Sequence, residues 1–368
     1  MTQNFQTFKF ATLLFIAVFF LTTSSVVAQE PEGVDQLEDW QQEELVSLME
    51  ETRQTVSEPS SGPAPFELGG FASQLGPDGN AYMAYTLTID PSKINTPTVA
   101  MYFSLLDPAT IAALSTATTE DEDSDEAPEL LPVFEDYDFV DVASGGTEPI
   151  RISRAFIAPG GEYEAFISIR DSNGGEEVED TAVPSASMLL RQPVSVPDFW
   201  NGTLQTSTVI IPAVDEISGE LQLEQLQVPL TPEQQKLSPY TISNSIRIEP
   251  KFDRVFAKED ELFLIYVVYN PGSRDGAMPD LQIEYNFYQQ TPDGPEPEEF
   301  FNKTQPQEFN AETIGLGFDL SMGHTLPITQ QVPLRNFPTG DFRLEIKLID
   351  NAGSTELIND VMFTVEEA

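Results

Sequence analysis

The chain of 368 residues contains no cysteine, so disulfides cannot brace it and no lipid can be attached through an N-terminal cysteine. It has one histidine, too few nitrogen or sulfur ligands for a zinc site. Basic residues are scarce: 17 Lys and Arg stand against 61 Asp and Glu, for a formal charge of −44. This charge argues against nucleic acid or anionic membrane as a partner, and it keeps copies of the chain apart in solution.

Motifs that would indicate catalysis are also missing. The histidine, His324, lies in a predicted turn, and the sequence has no G-x-S-x-G nucleophile elbow. Its glycine pairs flank predicted strands instead of opening helices, so they form no phosphate loop. With 61 acidic residues, chance pairs of carboxylates carry no weight. We therefore expect no catalytic residue, no cofactor and no enzymatic activity, and we expect His324 to be held by loop backbone.

The N-terminal 28 residues have the pattern of a secretory signal peptide. Lys9 is followed by an apolar stretch from Phe10 to Leu21, and small residues end at Ala28. The stretch is shorter than the roughly 20 apolar residues that span a bilayer. We expect cleavage after Ala28, no stable membrane insertion afterwards, and a periplasmic or extracellular protein.

An acidic amphipathic helix is predicted next, within 29–65. Apolar residues recur near helical spacing from Val34 to Met49, among mostly Gln, Glu and Asp. Because an isolated helix of this length is marginal in water, we expect it to dock on the first β domain. Residues 57–65, rich in Pro, Ser and Gly, read as a linker.

Two segments of the chain match each other without a gap at a constant offset of 179 residues. Each has a Gly turn, an aromatic residue, a strand with alternating apolar residues and a final Asp. The matched structural positions are Gly161, Tyr163, Ile167 and Asp171 in the first copy and Gly340, Phe342, Ile346 and Asp350 in the second. One building block used twice predicts two related β domains in tandem.

In the rest of the chain, apolar residues recur at every second position, and this period indicates strands. One face carries Ala81, Met83, Tyr85, Leu87 and Ile89, and another carries Leu281, Ile283, Tyr285 and Phe287. The run 262–269 is apolar on both faces, as in a central buried strand. The predicted fold class is all-β: an immunoglobulin-like sandwich over 66–200, a connector over 201–240 and a second sandwich over 241–368. We expect a fragment starting near Pro239 to fold alone.

A disordered acidic insertion is predicted at 116–129. Its carboxylates suggest a weak calcium candidate, since Ca²⁺ takes about six to eight oxygen ligands, but the spacing is not that of an EF-hand. A solvated, self-repelling loop is the simpler interpretation. The candidate ligands are Glu120, Asp121, Glu122, Asp123, Asp125 and Glu126.

Five segments of the chain resemble a region found in a known group of proteins. The chain is similar to the C-terminal β region of secreted acidobacterial proteins, where that region follows a von Willebrand factor A-like or GWxTD-type domain. The resemblance covers about 63–368, is most specific at Phe300–Ala311, and implies a β fold and export. This chain has no room for the upstream domains, and their roles do not carry over. The matching segments are 245–250, 263–272, 300–311, 323–324 and 337–350.

Two functional hypotheses follow. The first is a non-catalytic interaction or structural module of the cell envelope that binds another envelope or secreted protein. The alternative is a carbohydrate-binding accessory module or glycan-directed hydrolase that uses Trp200, Tyr285 or Tyr288 with nearby carboxylates. Sandwich cores also contain many such aromatic residues, so exposure decides between the two roles.

Overall fold

A computed structural model describes residues 37–56, 64–120, 132–142, 147–172, 187–215, 218–242, 245–274, 276–291, 297–315 and 317–367. The helices are α1 Asp39–Val56, α2 Pro108–Glu120 and α3 Pro232–Leu237. The strands are β1 Glu67–Leu75, β2 Asn80–Ile89, β3 Thr98–Leu106, β4 Phe134–Asp141, β5 Ile150–Pro159, β6 Gly161–Ser172, β7 Met188–Val196, β8 Gln205–Thr206, β9 Leu223–Gln225, β10 Thr241–Ile242, β11 Ile246–Ile248, β12 Val255–Ala257, β13 Glu261–Tyr269, β14 Leu281–Gln290, β15 Glu298–Lys303, β16 Gln307–Phe309, β17 Leu326–Pro333, β18 Gly340–Asp350 and β19 Thr355–Glu366. The prediction of a mostly β chain with an N-terminal helix is confirmed.

The two halves of the chain repeat one strand order. In the first half, the sheet β1-β2-β5 shares a core with the sheet β4-β3-β6-β7. In the second half, β8-β13-β17 shares a core with a six-stranded sheet that contains β15-β14-β18-β19 in that order. The six-stranded sheet gains β16, paired with β14, and β12, which pairs with β19 in parallel.

The matched segments become equivalent strands. β6 begins at Gly161 and β18 at Gly340, and both Ile167 and Ile346 have no exposed surface. The final Asp of each copy accepts hydrogen bonds from the loop that precedes the neighbouring strand: Asp171 from the Asn95 N–H at 2.9 Å, and Asp350 from the Gly272 N–H at 2.5 Å. The repeat is therefore visible in the strands and also in the bonds that end them.

The aromatic positions of the repeat differ in one respect. The Tyr163 hydroxyl donates to the Pro159 carbonyl at 3.1 Å, four residues upstream, whereas Phe342 is wholly buried and has no hydroxyl. A tyrosine that bonds back to the preceding corner is typical of immunoglobulin-like strands.

Helix α1 packs on the outer face of the sheet β4-β3-β6-β7. Leu45 and Leu48 lie against Ala100 and Tyr102, and Val56 contacts the Phe166 cluster. Polar contacts supplement this packing: Thr52 Oγ1 and Ser168 Oγ are 2.8 Å apart, both buried. The expected docking of this helix on the first β unit is found.

Strand β13 belongs to both cores. Leu262, Leu264, Tyr266 and Val268 point into the second core, whereas Val267 and Tyr269 pack in the first. The Tyr269 hydroxyl accepts from the Leu75 N–H at 3.2 Å, and its ring lies 4.9 Å from that of Phe199. The strand is apolar on both faces because each face lines a different core.

Residues in the predicted connector 201–240 take part in both halves. β8 pairs with β13, and Val209 and Ile211 pack in the second core. Further along, the Tyr82 hydroxyl donates to the Gln235 carbonyl at 3.0 Å, so the segment around α3 covers the outer face of β2. These residues form parts of a packed structure as well as a link.

Part of the predicted acidic insertion is helical. α2 starts at Pro108, after Asp107 accepts from the Thr110 N–H at 2.7 Å, and it continues to Glu120. Residues 116–120 thus form the last part of a helix. That helix begins at an Asp cap followed by a proline in its first turn. The signal peptide 1–28, the linker 57–63 and the candidate calcium ligands from Asp121 to Glu126 lie outside the described residues. Within the described part of the chain, none of the helices is both long and apolar enough to cross a membrane.

Candidate interaction surface

The outer face of the six-stranded sheet is the counterpart of the face that α1 covers in the first half. β18 alternates strictly along its length, with Phe342, Leu344, Ile346 and Leu348 buried and the residues between them on the outer face. In the described chain no helix packs on this outer face. We call this surface the open face.

Three large apolar side chains project from the open face. Phe300 on β15 is 57% exposed, and Ile358 and Met362 on β19 are 52% and 45% exposed. Ile358 lies beside Lys347, and Met362 beside Arg343, in the β18–β19 register. They lie on β15 and on β19, at the two sides of the β14–β18 pair, and exposed apolar residues on a sheet face can mark a binding surface.

Arg343 lies at the centre of the open face and joins three strands. Its guanidinium bonds Glu298 on β15 at 2.7 Å, Glu345 at 3.3 Å and Asp360 on β19 at 2.6 Å. It also lies 4.4 Å above the centre of the Tyr288 ring, a cation–π geometry. One side chain therefore links β15, β18 and β19 across the outer face of the sheet.

The electrostatics of the open face follow from these bonds. The hydrogen bonds from Arg343 lower the pKa of Glu298, and the bonds to Glu298 raise the pKa of Arg343 above its usual range. Lys347 bonds Glu356 at 2.9 Å, which raises the pKa of that lysine. These shifts favour the charged forms of Glu298, Arg343 and Lys347, and three carboxylates share the one guanidinium.

The structure gives a different surrounding to each aromatic residue of the carbohydrate hypothesis. Tyr285 is wholly buried, and its hydroxyl donates to Gln307 Oε1 at 2.8 Å. Tyr288 lies under Arg343, and Trp200 is 53% exposed while its indole N–H donates to the Asn80 carbonyl at 3.1 Å. Of the three, Trp200 alone offers a largely exposed ring.

His324 is held in its loop by a backbone hydrogen bond and an aromatic contact. Its Nδ1 accepts from the Asp319 backbone N–H at 3.0 Å, and the Phe318 ring packs edge-on against it. The expectation of a turn histidine bonded to backbone is confirmed. In the described ranges, no group of three or more Asp, Glu or His side chains is placed to hold a metal ion.

The alternation of β14 and β18 alone does not single out the apolar residues of the open face. A usable signal was present in β19, where Ile358 and Met362 interrupt the polar side of a strand whose other side carries Val361, Phe363 and Val365. The role of Arg343 gave no comparable signal, because its three partners come from three different strands.

Comparisons with known proteins give only distant likeness. No protein-family model matches the chain, and no curated protein matches it in sequence. The chain is similar in structure to Salmonella alpha-2-macroglobulin reacted with methylamine, at 12% identity and a TM-score of 0.18, over 83% of this chain and 17% of that one. A mutant of the same macroglobulin gives 11% identity and a TM-score of 0.17 over the same shares.

The chain is also similar in structure to Bacteroides uniformis beta-glucuronidase, at 9% identity and a TM-score of 0.23, over 78% of this chain and 26% of that one. The chain thus spans about a sixth of the macroglobulin and about a quarter of the glucuronidase. The likeness lies in β-rich structure.

Proposed function

We propose that the chain is an exported, non-catalytic interaction module of the cell envelope, built from two tandem immunoglobulin-like sandwiches. The repeated order of three and four strands and the corner bond of Tyr163 support this architecture. The second sandwich presents the open face to another envelope or secreted protein.

The proposal is based on a comparison between the outer sheet faces of the two halves. The two halves share a strand order, yet in the first the outer sheet face is covered by α1, while in the second it displays Phe300, Ile358 and Met362. A soluble chain with a formal charge of −44 has ample polar residues for this surface. The exposure of these apolar side chains supports a contact with a partner at this face.

A photo-crosslinking experiment tests the proposal. A crosslinking amino acid replaces Ile358 in the mature protein, and in a second sample it replaces Val228, which is 72% exposed on the loop between β9 and α3. In a native envelope extract, position 358 should give a discrete adduct that position 228 does not. The adduct should disappear when Met362→Asp is added to the crosslinking protein. Equal labelling at both positions, or none at 358, contradicts the proposal.

The carbohydrate alternative is supported by one observation, the exposed indole of Trp200. Trp200 is one of two tryptophans, so intrinsic fluorescence reports on it closely, with Trp200→Phe to assign the signal. Under this alternative, soluble polysaccharides quench or shift the fluorescence, and Trp200→Phe removes the response.

A further inference from the structure

We propose that the partner adds an extended strand to the outer edge of β15, beside Phe300. This inference rests on the proposed function and names the way in which the partner binds. The added strand would extend the six-stranded sheet and cover the exposed side of Phe300.

The outer edge of β15 carries backbone groups that have no partner in the described chain. The Thr291 N–H donates to the Pro297 carbonyl at 2.9 Å, and along an antiparallel pair hydrogen-bonded positions alternate with non-bonded ones. Glu299 therefore bonds β14, whereas the N–H and C=O groups of Glu298 and Phe300 point away from it. Backbone groups that recur at every second residue are those with which another extended strand pairs.

The counterpart of β15 in the first half is the edge strand β4, and the outer edge of β4 is occupied. The bond from the Val142 N–H to the Pro97 carbonyl, at 2.7 Å, sets an alternation in which the Tyr137 carbonyl points outward. Lys236 of α3 lies there, with its Nζ 3.5 Å from the Tyr137 carbonyl oxygen and 2.7 Å from Asp136 Oδ1. Among the described residues, no such contact from another element reaches the outward backbone groups of β15.

The side chains of β15 leave its outer edge accessible. Glu298 is held by Arg343 of β18 through two bonds, at 2.9 and 2.7 Å. Phe300 is 57% exposed, and its ring centre lies 5.7 Å from that of Tyr288 on β14. Edge strands are often protected by proline, lysine or a bulge, but β15 has its bulge and Lys303 only beyond Phe300. The segment from Glu298 to Phe300 is therefore regular and open to pairing.

The chemistry of this edge also limits the occupant. A second copy of the chain would bring together two proteins with a formal charge of −44 each. Antiparallel pairing of Glu298 with Phe300 of that copy would also set the two Glu299 residues opposite each other. The strand therefore comes from another protein, with an apolar residue opposite Phe300 and no carboxylate opposite Glu299.

A peptide with the sequence of residues 285–291, blocked at both ends, provides the probe. This segment of β14 pairs with β15 in the protein and carries no charge, so general attraction to an acidic chain does not explain its binding. Amide hydrogen exchange follows the Glu298 and Phe300 N–H groups in the intact mature protein. We expect fast exchange in the free protein, slowed about tenfold when the peptide is present at ten times its dissociation constant. The peptide with Phe287→Pro and Tyr288→Pro, which lacks donors on both edges, should give no protection.

Two variants separate backbone pairing from contact with the Phe300 ring. Phe300→Ala removes the ring and keeps the N–H, whereas Phe300→Pro removes both without taking a hydrogen bond from β14. The peptide should still slow exchange at Glu298 in Phe300→Ala and should not do so in Phe300→Pro, with similar denaturant midpoints for the two variants. Equal protection in both variants contradicts the inference. So does slow exchange at Glu298 and Phe300 in the free wild type, a result that requires no variant.

Failure of the inference and failure of the proposed function give different results. In the native extract, the adduct at position 358 should persist in Phe300→Ala and be lost in Phe300→Pro. If both variants give the adduct equally, the interaction module stands and strand addition is wrong. If position 358 gives no adduct in the wild type, the proposed function is wrong. If sedimentation shows a dimer of the mature protein that Phe300→Pro alone dissociates, the occupant is a second copy and the inferred partner is wrong.

Discussion

At the scale of single residues, neighbouring positions on β18 have opposite surroundings. Ile346 has no exposed surface and no polar partner, so Ile346→Asp would bury an unpaired carboxylate. We expect a loss on the order of 3 to 5 kcal/mol in the free energy of unfolding, or failure to fold. The matched outward change, Lys347→Gln, should leave the denaturant midpoint nearly unchanged. Similar midpoints for both variants would contradict the alternation of β18.

Glutamine is the proper control at position 347 because of the local charges. Lys347 bonds Glu356, and Glu284 and Glu345 also act on it. An aspartate there would add like-charge repulsion to the loss of the cation, which would confuse the comparison.

Arg343 should contribute to stability in a pH-dependent way. Arg343→Met leaves Glu298, Glu345 and Asp360 without their cation, and we expect a loss of about 1 to 2 kcal/mol at pH 7. The pKa of Glu298 is lowered in the folded protein, so its contribution is present above its unfolded pKa and is lost as pH falls through the folded pKa. The difference between wild type and variant should therefore shrink toward pH 3.

The measurement is urea denaturation across this pH range. Lys258→Met, which breaks an exposed pair with Glu367, serves as the control and should cost about 0.5 kcal/mol or less. A constant difference between wild type and Arg343→Met from pH 7 to pH 3 would show that the carboxylates are not coupled to Arg343.

At the scale of elements, α1 should detach without unfolding the sheets. Leu48 is 1% exposed, whereas Val46 on the same helix is 64% exposed. We expect Leu48→Asp to release the helix at a cost of about 3 kcal/mol, because a carboxylate would be buried against Tyr102. Cleavage by a Glu-specific protease within α1 should then accelerate, while Val46→Asp behaves as wild type. Equal protection of both variants would mean that α1 is not held by its apolar side.

The same helix marks a limit of sequence reasoning. Alternation correctly places Ile167 and Ile346 in the cores, and the apolar faces of β2 and β14 are found as predicted. It also places Ser168 on an outer face, where solvent would be expected, but Ser168 is wholly buried beneath Thr52. Period-two patterns report which side of a strand faces the core, and they contain no information on what covers the other side.

The open face shows a related limit. Which residues share a strand face follows from the sequence, but the partners of Arg343 depend on the pairing of β15, β18 and β19. Strand order is set by long-range contacts, and local patterns do not determine it. The internal repeat does carry long-range information, because the constant offset of 179 residues identifies equivalent positions in both halves.

At the scale of the whole molecule, β13 should make the two halves unfold together. A fragment from Pro239 would expose Val267 and Tyr269 and would lack β8, Val209 and Ile211. We therefore expect it to aggregate or remain molten, contrary to the expectation from sequence. A fragment from Asn201 keeps β8 and should be the more soluble of the two, although Val267 and Tyr269 are still uncovered.

Calorimetry of the mature protein checks this coupling. One cooperative transition is expected, and Tyr269→Ala should lower its midpoint without splitting it, since the ring supports Phe199 in the first core from a strand of the second. Two separate transitions in the wild type would show that the cores are independent.

The shared strand has a further consequence for how such a chain can change in evolution. Domains joined by flexible linkers can be added, lost or reordered one at a time, since each carries its complete core. Here, removal of the second unit would open the first core along Val267 and Tyr269, and insertion of a third unit between them would do the same. We therefore expect the pair to be inherited as one block, with variation in its length confined to loops and termini.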